Sequence, residues 1–508
     1  MRALLFRLCA AAAITIAAAL PARAETPTGT LTVGVYAFNA ARGNPFQTIG
    51  TPGLYLWSAV LDALTEIGPG GAPVPALALS WQQVEPTRWR FHLRPGIAFA
   101  NGETFDAAAV VHTIDILRDD RHRHTQAGAL VRTVTSAAAT DPLTVEITTK
   151  SPNAALPAEL AGVFIVPPRA WAEIGEEAFA GAALGTGPFR FDHSEPSRIE
   201  LVANPASWRK PRLERITFLE LPEEAARVSA LLSGAIDLAI QVSAETRDQL
   251  LAGGAGVVSW PAPLVITFGL STEAPGSPFR DRRVRQAVNY AVDKQAIVEQ
   301  ILGGETTAAS QPASPVAIGF DPTIEPYPYD PDKAKALLAE AGYPDGFPAV
   351  IDIAVNAIPG DAVIYGAAAQ DLARIGIQVE LRALPVAAWV KKFAGGDFSG
   401  PIFGLGLSSL PRSDAMNALR AITCGRAPLP VFTCIPEIEP LIAAVDAEPD
   451  PERRVALMRQ VMRRTHDEAT SLFLVNSVDF AGVAARVKDF APGSRFIHWE
   501  KISAGETP

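Results

Sequence analysis

The stretch FHLRPGIAFANGETFDAAAVV, residues 91–111, places a strand, two tight turns and a helix in direct succession. It completes an apolar/polar alternation that starts at Arg88, which predicts a half-buried strand ending at Leu93. Pro95-Gly96 and Asn101-Gly102 are dipeptides typical of turns. Apolar residues then recur three and four positions apart, which predicts a helix with one buried face. That face consists of Ala109, Val110, Thr113, Ile114 and Leu117.

Strands and helices alternate along the rest of the chain. GTLTVGVYAF (29–38) and LVITFGLST (264–272) predict strands, and DPDKAKALLAEAGYPDG (330–346) predicts a capped helix. No internal repeat or low-complexity linker separates them. The sequence therefore predicts an α/β protein, and its 508 residues are enough for two or three domains.

The segment SPFRDRRVRQAVNYAVDKQAI (277–297) carries four arginines within six positions. Its apolar residues fall on a single helical stripe, and Asp281 is placed to cap the helix. The arginines flank that stripe, so most of them can face water or neighbouring carboxylates. We interpret the segment as an architectural helix and not as an arm that binds an anionic partner.

The first 24 residues have the layout of a cleavable export signal: a basic start, an apolar run and a small-residue site before Glu25. A lipid anchor on Cys9 is the less favoured alternative, because Cys9 precedes the apolar run. The chain has a formal charge of −10, and the segment 1–24 contributes three arginines and no acid, so the mature chain carries −13. This balance argues against nucleic acid as a partner. No later segment predicts stable membrane insertion.

Two cysteines, Cys424 and Cys434, follow the export signal. In an oxidising compartment two cysteines this close predict a disulfide, with two free thiols as the alternative. His122 and His124 form the one close histidine pair, in the charged segment DDRHRH. We interpret that segment as a solvated loop, and the sequence predicts neither a metal site nor a cofactor.

The 91–111 stretch also resembles the signature of family 5 of the bacterial solute-binding proteins, the peptide and nickel receptors of ABC importers. Ala109 stands where that family usually has Asp. Further resembling fragments follow in the family's order, over about residues 75–382. They include GTGPFRF (185–191), ALLSGAIDLA (230–239), the arginine-rich segment, YPYDPDKAKALLAEAGY (327–343) and LARIGIQVEL (372–381).

The resemblance implies a two-lobed periplasmic binding protein of type II, cluster C-like, with an extra subdomain in the first lobe. By analogy, lobe I covers 25–265 with the extra subdomain at about 60–165. Lobe II covers 266–479, and residues 480–508 return to lobe I. The ligand is then expected in the cleft between the lobes.

The same resemblance implies a function and partners. A monomeric periplasmic receptor is expected to capture a peptide or peptide-like solute and deliver it to an ABC permease with separate ATPase subunits. This chain lacks the GxxxxGK[ST] phosphate loop, so it is not that ATPase. Alternatives are a receptor for a non-peptide solute, such as an oligosaccharide, an opine-like conjugate or a metal chelate, and, more distantly, an exported hydrolase. We predict no catalytic residues.

Dipeptide-binding members of the family hold the peptide amino group with an Asp and the carboxylate with an upstream Arg. In GLGLSSLPRSDAMNAL (404–419), alignment on Pro411 places Ser409 at the Asp position, and IAVNAIPGD (353–361) has no arginine. Both usual anchors are therefore missing, which argues against a short free peptide and leaves a modified peptide or a neutral solute open. The predicted ligand-binding residues are Tyr36, Phe38, Thr186, Gly187, Trp389, Ser409, Arg412 and Asp414.

Overall fold

The computed structural model describes residues 26–38, 43–47, 51–355, 357–358, 360–410, 412–419, 423–424, 430–493 and 496–505. The predicted export signal, 1–24, lies outside the described residues. Within them, no helix is long and apolar enough to cross a bilayer.

The strands in chain order are β1 (Thr30–Val35), β2 (Thr65–Ile67), β3 (Pro73–Pro75), β4 (Ala78–Glu85), β5 (Arg88–Leu93), β6 (Val134–Asp141), β7 (Thr144–Thr149), β8 (Phe189–Glu195), β9 (Arg198–Ala203), β10 (Arg215–Glu220), β11 (Leu238–Val242), β12 (Gly256–Leu270), β13 (Pro348–Ala354), β14 (Gln378–Leu384), β15 (Ile402–Ser408), β16 (Ser471–Val483), β17 (Val487–Lys488) and β18 (Ser503–Ala504).

The α-helices are α1 (Thr51–Trp57), α2 (Ala107–Arg118), α3 (Gln126–Leu130), α4 (Leu156–Glu159), α5 (Pro168–Gly181), α6 (Glu224–Leu232), α7 (Arg247–Ala252), α8 (Arg282–Ala291), α9 (Lys294–Ala296), α10 (Pro331–Glu340), α11 (Asp361–Arg374), α12 (Val386–Gly395), α13 (Ala415–Ala418), α14 (Glu439–Ala447) and α15 (Pro451–Asp467).

A ten-stranded mixed sheet runs through the molecule in the order β14-β13-β15-β12-β16-β11-β1-β10-β9-β8. The long strands β12 and β16 lie antiparallel at its centre. On one side β12 pairs with β15, and on the other β16 pairs with β11. The two central strands therefore join the N-terminal strands of the sheet to the strands of the second half. Every residue of β16 is buried, which fixes this junction in the core.

A second sheet, antiparallel with the order β4-β5-β7-β6, is inserted between β1 and β8 and packs with helix α2. The strand predicted from Arg88 to Leu93 is β5. The predicted apolar face of α2 is buried. Asp106 caps the helix, because its carboxylate accepts hydrogen bonds from the backbone N–H groups of Ala108 and Ala109. The predicted strand and the predicted buried helix face are confirmed.

The arginine-rich segment forms helix α8, capped by Asp281 as predicted. Arg282 and Arg283 are exposed. Arg285 is only 2% exposed and does not face water: its guanidinium lies 3.3 Å from the carboxylate of Glu468 and donates to backbone carbonyls. The segment is thus part of the architecture. Its buried Arg285 links α8 to the end of α15.

Candidate functional site

A cavity of ≈ 610 Å³ lies between the N-terminal part of the chain and the part that follows β12. Its N-terminal wall is built by Trp81, Trp89 and residues from 70–73 and 154–158. Its second wall is built by Asp414 and residues from 315–322 and 451–459. Ligand pockets of proteins typically enclose about 300–1,000 Å³, so the cavity has room for a small ligand that touches both walls.

Aromatic side chains on the four-stranded sheet form the N-terminal wall. Trp81 on β4 and Trp89 on β5 both pack on Phe91, with ring centroids 6.3 and 6.5 Å apart. The indole N–H of Trp89 donates to the carbonyl of Asn153 at 3.0 Å. That hydrogen bond fixes the ring, so this wall is rigid and mostly apolar.

The loop that carries Ile318 reaches across to the N-terminal part. Ile318 packs against a small apolar cluster of Ile67, Ala158 and Ala161. A Cβ atom on Gly71 would lie 2.5 Å from the backbone nitrogen of Ile318, and the φ of Gly71 is +82°. Only glycine permits so close a backbone approach in that conformation. The two parts of the chain therefore touch directly at the edge of the cavity.

A charged cluster next to the cavity also crosses between the walls. Arg412 Nε lies 2.9 Å from Glu159 Oε1, and Glu159 also accepts from the amide of Asn153 at 2.7 Å. Burial raises the pKa of Glu159, and the guanidinium of Arg412 opposes that rise. Asp414 caps α13 and lies 3.3 Å from Arg454 Nη2. Both predicted residues, Arg412 and Asp414, thus belong to one ionic cluster.

Ser409 directly follows β15 and is fully buried. Its backbone N–H donates to the carbonyl of Pro263 at 2.9 Å, but its hydroxyl has no hydrogen-bond partner among the described residues. It does not line the cavity.

Thr186 and Gly187 are packed into the N-terminal core. The hydroxyl of Thr186 donates to Asp62 at 2.7 Å, and Arg209 lies 2.7 Å from the same carboxylate. The N–H of Gly187 donates to the carbonyl of Val60 at 3.0 Å. Local packing therefore accounts for both residues, and their role as ligand contacts stays a prediction.

The three predicted aromatic residues lie outside the cavity lining. Tyr36 follows β1 and is 42% exposed, while Phe38 packs partly against the N-terminal core. Trp389 on α12 stacks on Phe393 with centroids 5.1 Å apart, and its indole N–H has no partner among the described residues. Trp81, Trp89, Ile318 and the cavity face of α15 were not among the predicted ligand-binding residues.

A buried hydrogen-bond network lies where the central strands cross between the two halves. The hydroxyl of Tyr55 donates to Asp479 Oδ2 at 2.8 Å and accepts from the indole N–H of Trp260 at 2.9 Å. Burial raises the pKa of Asp479 to about 6. Among the described residues no cation pairs with this carboxylate. The network ties helix α1 to both central strands.

A second buried network holds the C-terminal segment on the N-terminal part. His498 lies 3.1 Å from the carboxylates of both Glu66 and Glu500, and these hydrogen bonds raise its pKa to about 9. Arg209 bridges Glu500 and Asp62. Although Glu500 is largely buried, its bond to His498 and the charge of Arg209 lower its pKa to about 2.

Across the described residues, no three His, Cys, Asp or Glu side chains are grouped so that they could hold a metal ion. The segment DDRHRH is exposed as predicted except at His122, whose ring is buried and lies 2.9 Å from Glu176. The loop folds back on α5 because that carboxylate gives the imidazole a buried partner. Cys424 and Cys434 are joined by a disulfide.

Solved structures with the same fold cover nearly the whole chain. The DppA periplasmic binding protein of Helicobacter pylori, in complex with the peptide STSA, matches with a TM-score of 0.76 at 23% identity, over 94% of this chain and 98% of its own. The substrate-binding protein CtaP of Listeria monocytogenes matches with a TM-score of 0.84 at 18% identity, over 95% and 100%. The fold is therefore that of the two-lobed periplasmic binding proteins.

Other known proteins are similar to this chain in sequence. Heme-binding protein A of Haemophilus influenzae is 28% identical over 85% of this chain and 84% of its own length. The glutathione-binding protein GsiB of Escherichia coli is 30% identical over 58% of this chain, which spans 57% of that relative. The family described as "Bacterial extracellular solute-binding proteins, family 5 Middle" matches residues 72–423. This chain belongs to family 5 of the bacterial extracellular solute-binding proteins.

Proposed function

We propose that this protein is a periplasmic receptor of an ABC importer that captures a peptide or peptide-like solute between its lobes and delivers it to a membrane permease. The observation that carries the proposal is the ≈ 610 Å³ cavity whose walls come from both parts of the chain. A solute that touches both walls stabilises the closed arrangement more than the open one, so ligand binding and closure are coupled. The family membership supports the same function.

The mechanism needs a hinge, and β12 and β16 supply it. We propose lobe I as residues 25–265, with an extra subdomain at about 60–165, and lobe II as 266–479, with 480–508 returning to lobe I. The central strands β12 and β16 cross this division. A small rotation about them changes the distance between the walls without breaking either core. No bond in the solute is made or broken, and the permease recognises the closed form.

The solute class is supported by relatives of different specificity. One similar protein is named for heme, another for glutathione, and the similar DppA structure contains a peptide. A receptor for a non-peptide solute is the second candidate, because Ser409 stands at the position of the family's amino-binding Asp and offers no charge.

A thermal-shift screen of the purified protein tests the proposal. The solutes are peptides of two to five residues, oligosaccharides, opine-like conjugates and metal chelates. A ligand at 100 times its Kd adds about 2.7 kcal/mol to the free energy of unfolding, so we expect a higher Tm with peptides. A shift with a non-peptide class alone assigns the receptor to that class. Turnover of the added solute contradicts the receptor function.

A further inference from the structure

Helix α15 presents two unpaired charges of opposite sign to the cavity. Glu452 and Arg459 both line it, together with Arg454, which is occupied by Asp414. Among the described residues, Glu452 has no ion-pair partner, and the one hydrogen bond of Arg459 is to the carbonyl of Phe320, at 3.3 Å. A negative and a positive side chain are therefore available to a ligand at this wall.

A nearby acid does not take up the charge of Arg459. Asp321 is close enough for Arg459 to lower its pKa, but its carboxylate is bonded to Arg463 at 2.5 Å. Among the described residues, no carboxylate forms an ion pair with the guanidinium of Arg459.

The spacing of Glu452 and Arg459 along α15 indicates the length of peptide that fits between them. Glu452 and Arg459 are seven residues apart on one helix, which is two turns, so they share a face and lie about 10 Å apart along the axis. An extended peptide advances about 3.3–3.6 Å per residue, so its two charged ends are about 10 Å apart when it has three residues.

Apart from the Arg454–Asp414 ion pair, the surface around the two charges is apolar. Val455 lies between them on α15, and Trp81 and Ile318 line the cavity around them. Trp81 is partly buried, with its indole ring against Phe91, so it offers a flat face to an apolar side chain. The cavity therefore combines two charged residues with apolar surface and one internal ion pair.

We infer that the cavity selects zwitterionic peptides of about three residues with an apolar central side chain. Glu452 receives the amino group and Arg459 the carboxylate. The inference rests on the proposed function and gives it a specificity. It also gives this chain two groups that can bind the ends of a peptide, although the chain lacks the Asp and Arg anchors of its dipeptide-binding relatives.

Isothermal titration of the full-length protein with one peptide series tests this assignment. The probes are Ala-Phe-Ala, its N-acetyl and C-amide derivatives, the dipeptide Ala-Phe and the tetrapeptide Ala-Phe-Ala-Ala. The variants are Glu452→Gln and Arg459→Gln. Arg453→Gln is the matched control, because Arg453 lies on the same helix, is 70% exposed in its side chain and pairs with Glu448 away from the cavity lining.

We expect Ala-Phe-Ala to bind most tightly. Each rim charge is solvent-exposed, so its loss should raise Kd by about two- to fivefold and not by orders of magnitude. N-acetylation should weaken binding to the wild type but add little in Glu452→Gln, and C-amidation should behave in the same way with Arg459→Gln. The Arg453→Gln protein should bind all peptides like the wild type.

Two outcomes overturn the inference in distinguishable ways. If Ala-Phe-Ala binds but its Kd is unchanged by both blocking groups and both variants, the receptor function stands and this assignment of the ends is wrong. If no peptide of any length binds while another solute class raises the Tm, the peptide class itself is wrong and the inference falls with it.

Discussion

Arg412 Nε lies 2.9 Å from Glu159 Oε1, and this ion pair joins the second wall of the cavity to the first. Glu159 is fixed on the N-terminal side, since Asn153 donates to its other oxygen and its side chain is 3% exposed. Arg412 is carried by the segment between β15 and α13. Separation of the walls breaks the pair and hydrates both charges, so the contact belongs to the closed arrangement alone.

Arg412→Gln and Glu159→Gln should therefore shift the ligand-free protein toward an open arrangement. Removal of one partner of a buried ion pair costs up to about 3–5 kcal/mol in the state that buries the other, and opening relieves that cost through hydration. Small-angle X-ray scattering should show a larger radius of gyration in both variants. Arg88→Gln is the control, since Arg88 pairs with Glu85 within the four-stranded sheet and not across the two walls. An unchanged radius would show that this pair does not hold the closed state.

Asp479→Asn should stabilise the protein at neutral pH. Burial raises the pKa of Asp479 to about 6 from 3.8, so the folded state holds its proton more tightly than the unfolded chain. The contribution of Asp479 to the free energy of unfolding is then largest below about pH 4 and is lost as the pH rises to about 6. The loss is about 3 kcal/mol at most, at about 1.4 kcal/mol for each pKa unit. Asparagine keeps an acceptor for the hydroxyl of Tyr55 without a charge.

Urea unfolding of the wild type and Asp479→Asn at pH 4 and pH 8 measures this effect. We expect similar free energies of unfolding at pH 4 and a more stable variant at pH 8. Tyr55→Phe serves as the comparison, because it removes the hydrogen bond and leaves the charge. A variant that is less stable than the wild type at pH 8 would mean that the ionised carboxylate has a stabilising partner at the hinge.

The pKa of His498 predicts a loss of stability in the same direction as for Asp479, but in an alkaline window. Glu500 and Glu66 raise that pKa to about 9 from 6.5. The stabilisation is complete below about pH 6.5 and is lost as the pH rises through about 9. We expect the wild-type Tm to fall over this window and the Tm of His498→Gln to fall less. Equal slopes for the two proteins between pH 6.5 and pH 9.5 would contradict the assignment.

The sequence predicted what is local and periodic. The strand at 88–93, the buried face of α2 and the Asp281 cap depend on neighbours within a few residues, so their pattern is visible in the chain itself. The family resemblance supplied the two-lobed fold. The cavity walls could not be predicted, because Trp81 and Ile318 are distant in sequence and neither carries a motif.

The same reasoning explains the differences at single residues. For Arg285 and the other arginines of its segment, water or neighbouring carboxylates were the expected surroundings, and His122 was expected in a solvated loop. Each is buried because one carboxylate from a distant element, Glu468 or Glu176, reaches it. Such partners are set by tertiary packing, and a single sequence gives no sign of them.

Gly187→Ala distinguishes a packing role from a ligand contact. A Cβ atom at this position would lie 2.6 Å from the carbonyl carbon and oxygen of Val60, and backbone atoms cannot move aside as a side chain can. We expect a loss of about 1–3 kcal/mol or more in the free energy of unfolding. Gly181→Ala is the matched control, since its Cβ would meet nothing within 4 Å. Urea unfolding and peptide titration of both variants should show a less stable Gly187→Ala protein with an unchanged Kd. Wild-type stability combined with lost binding would instead assign Gly187 to the ligand, as its sequence position first suggested.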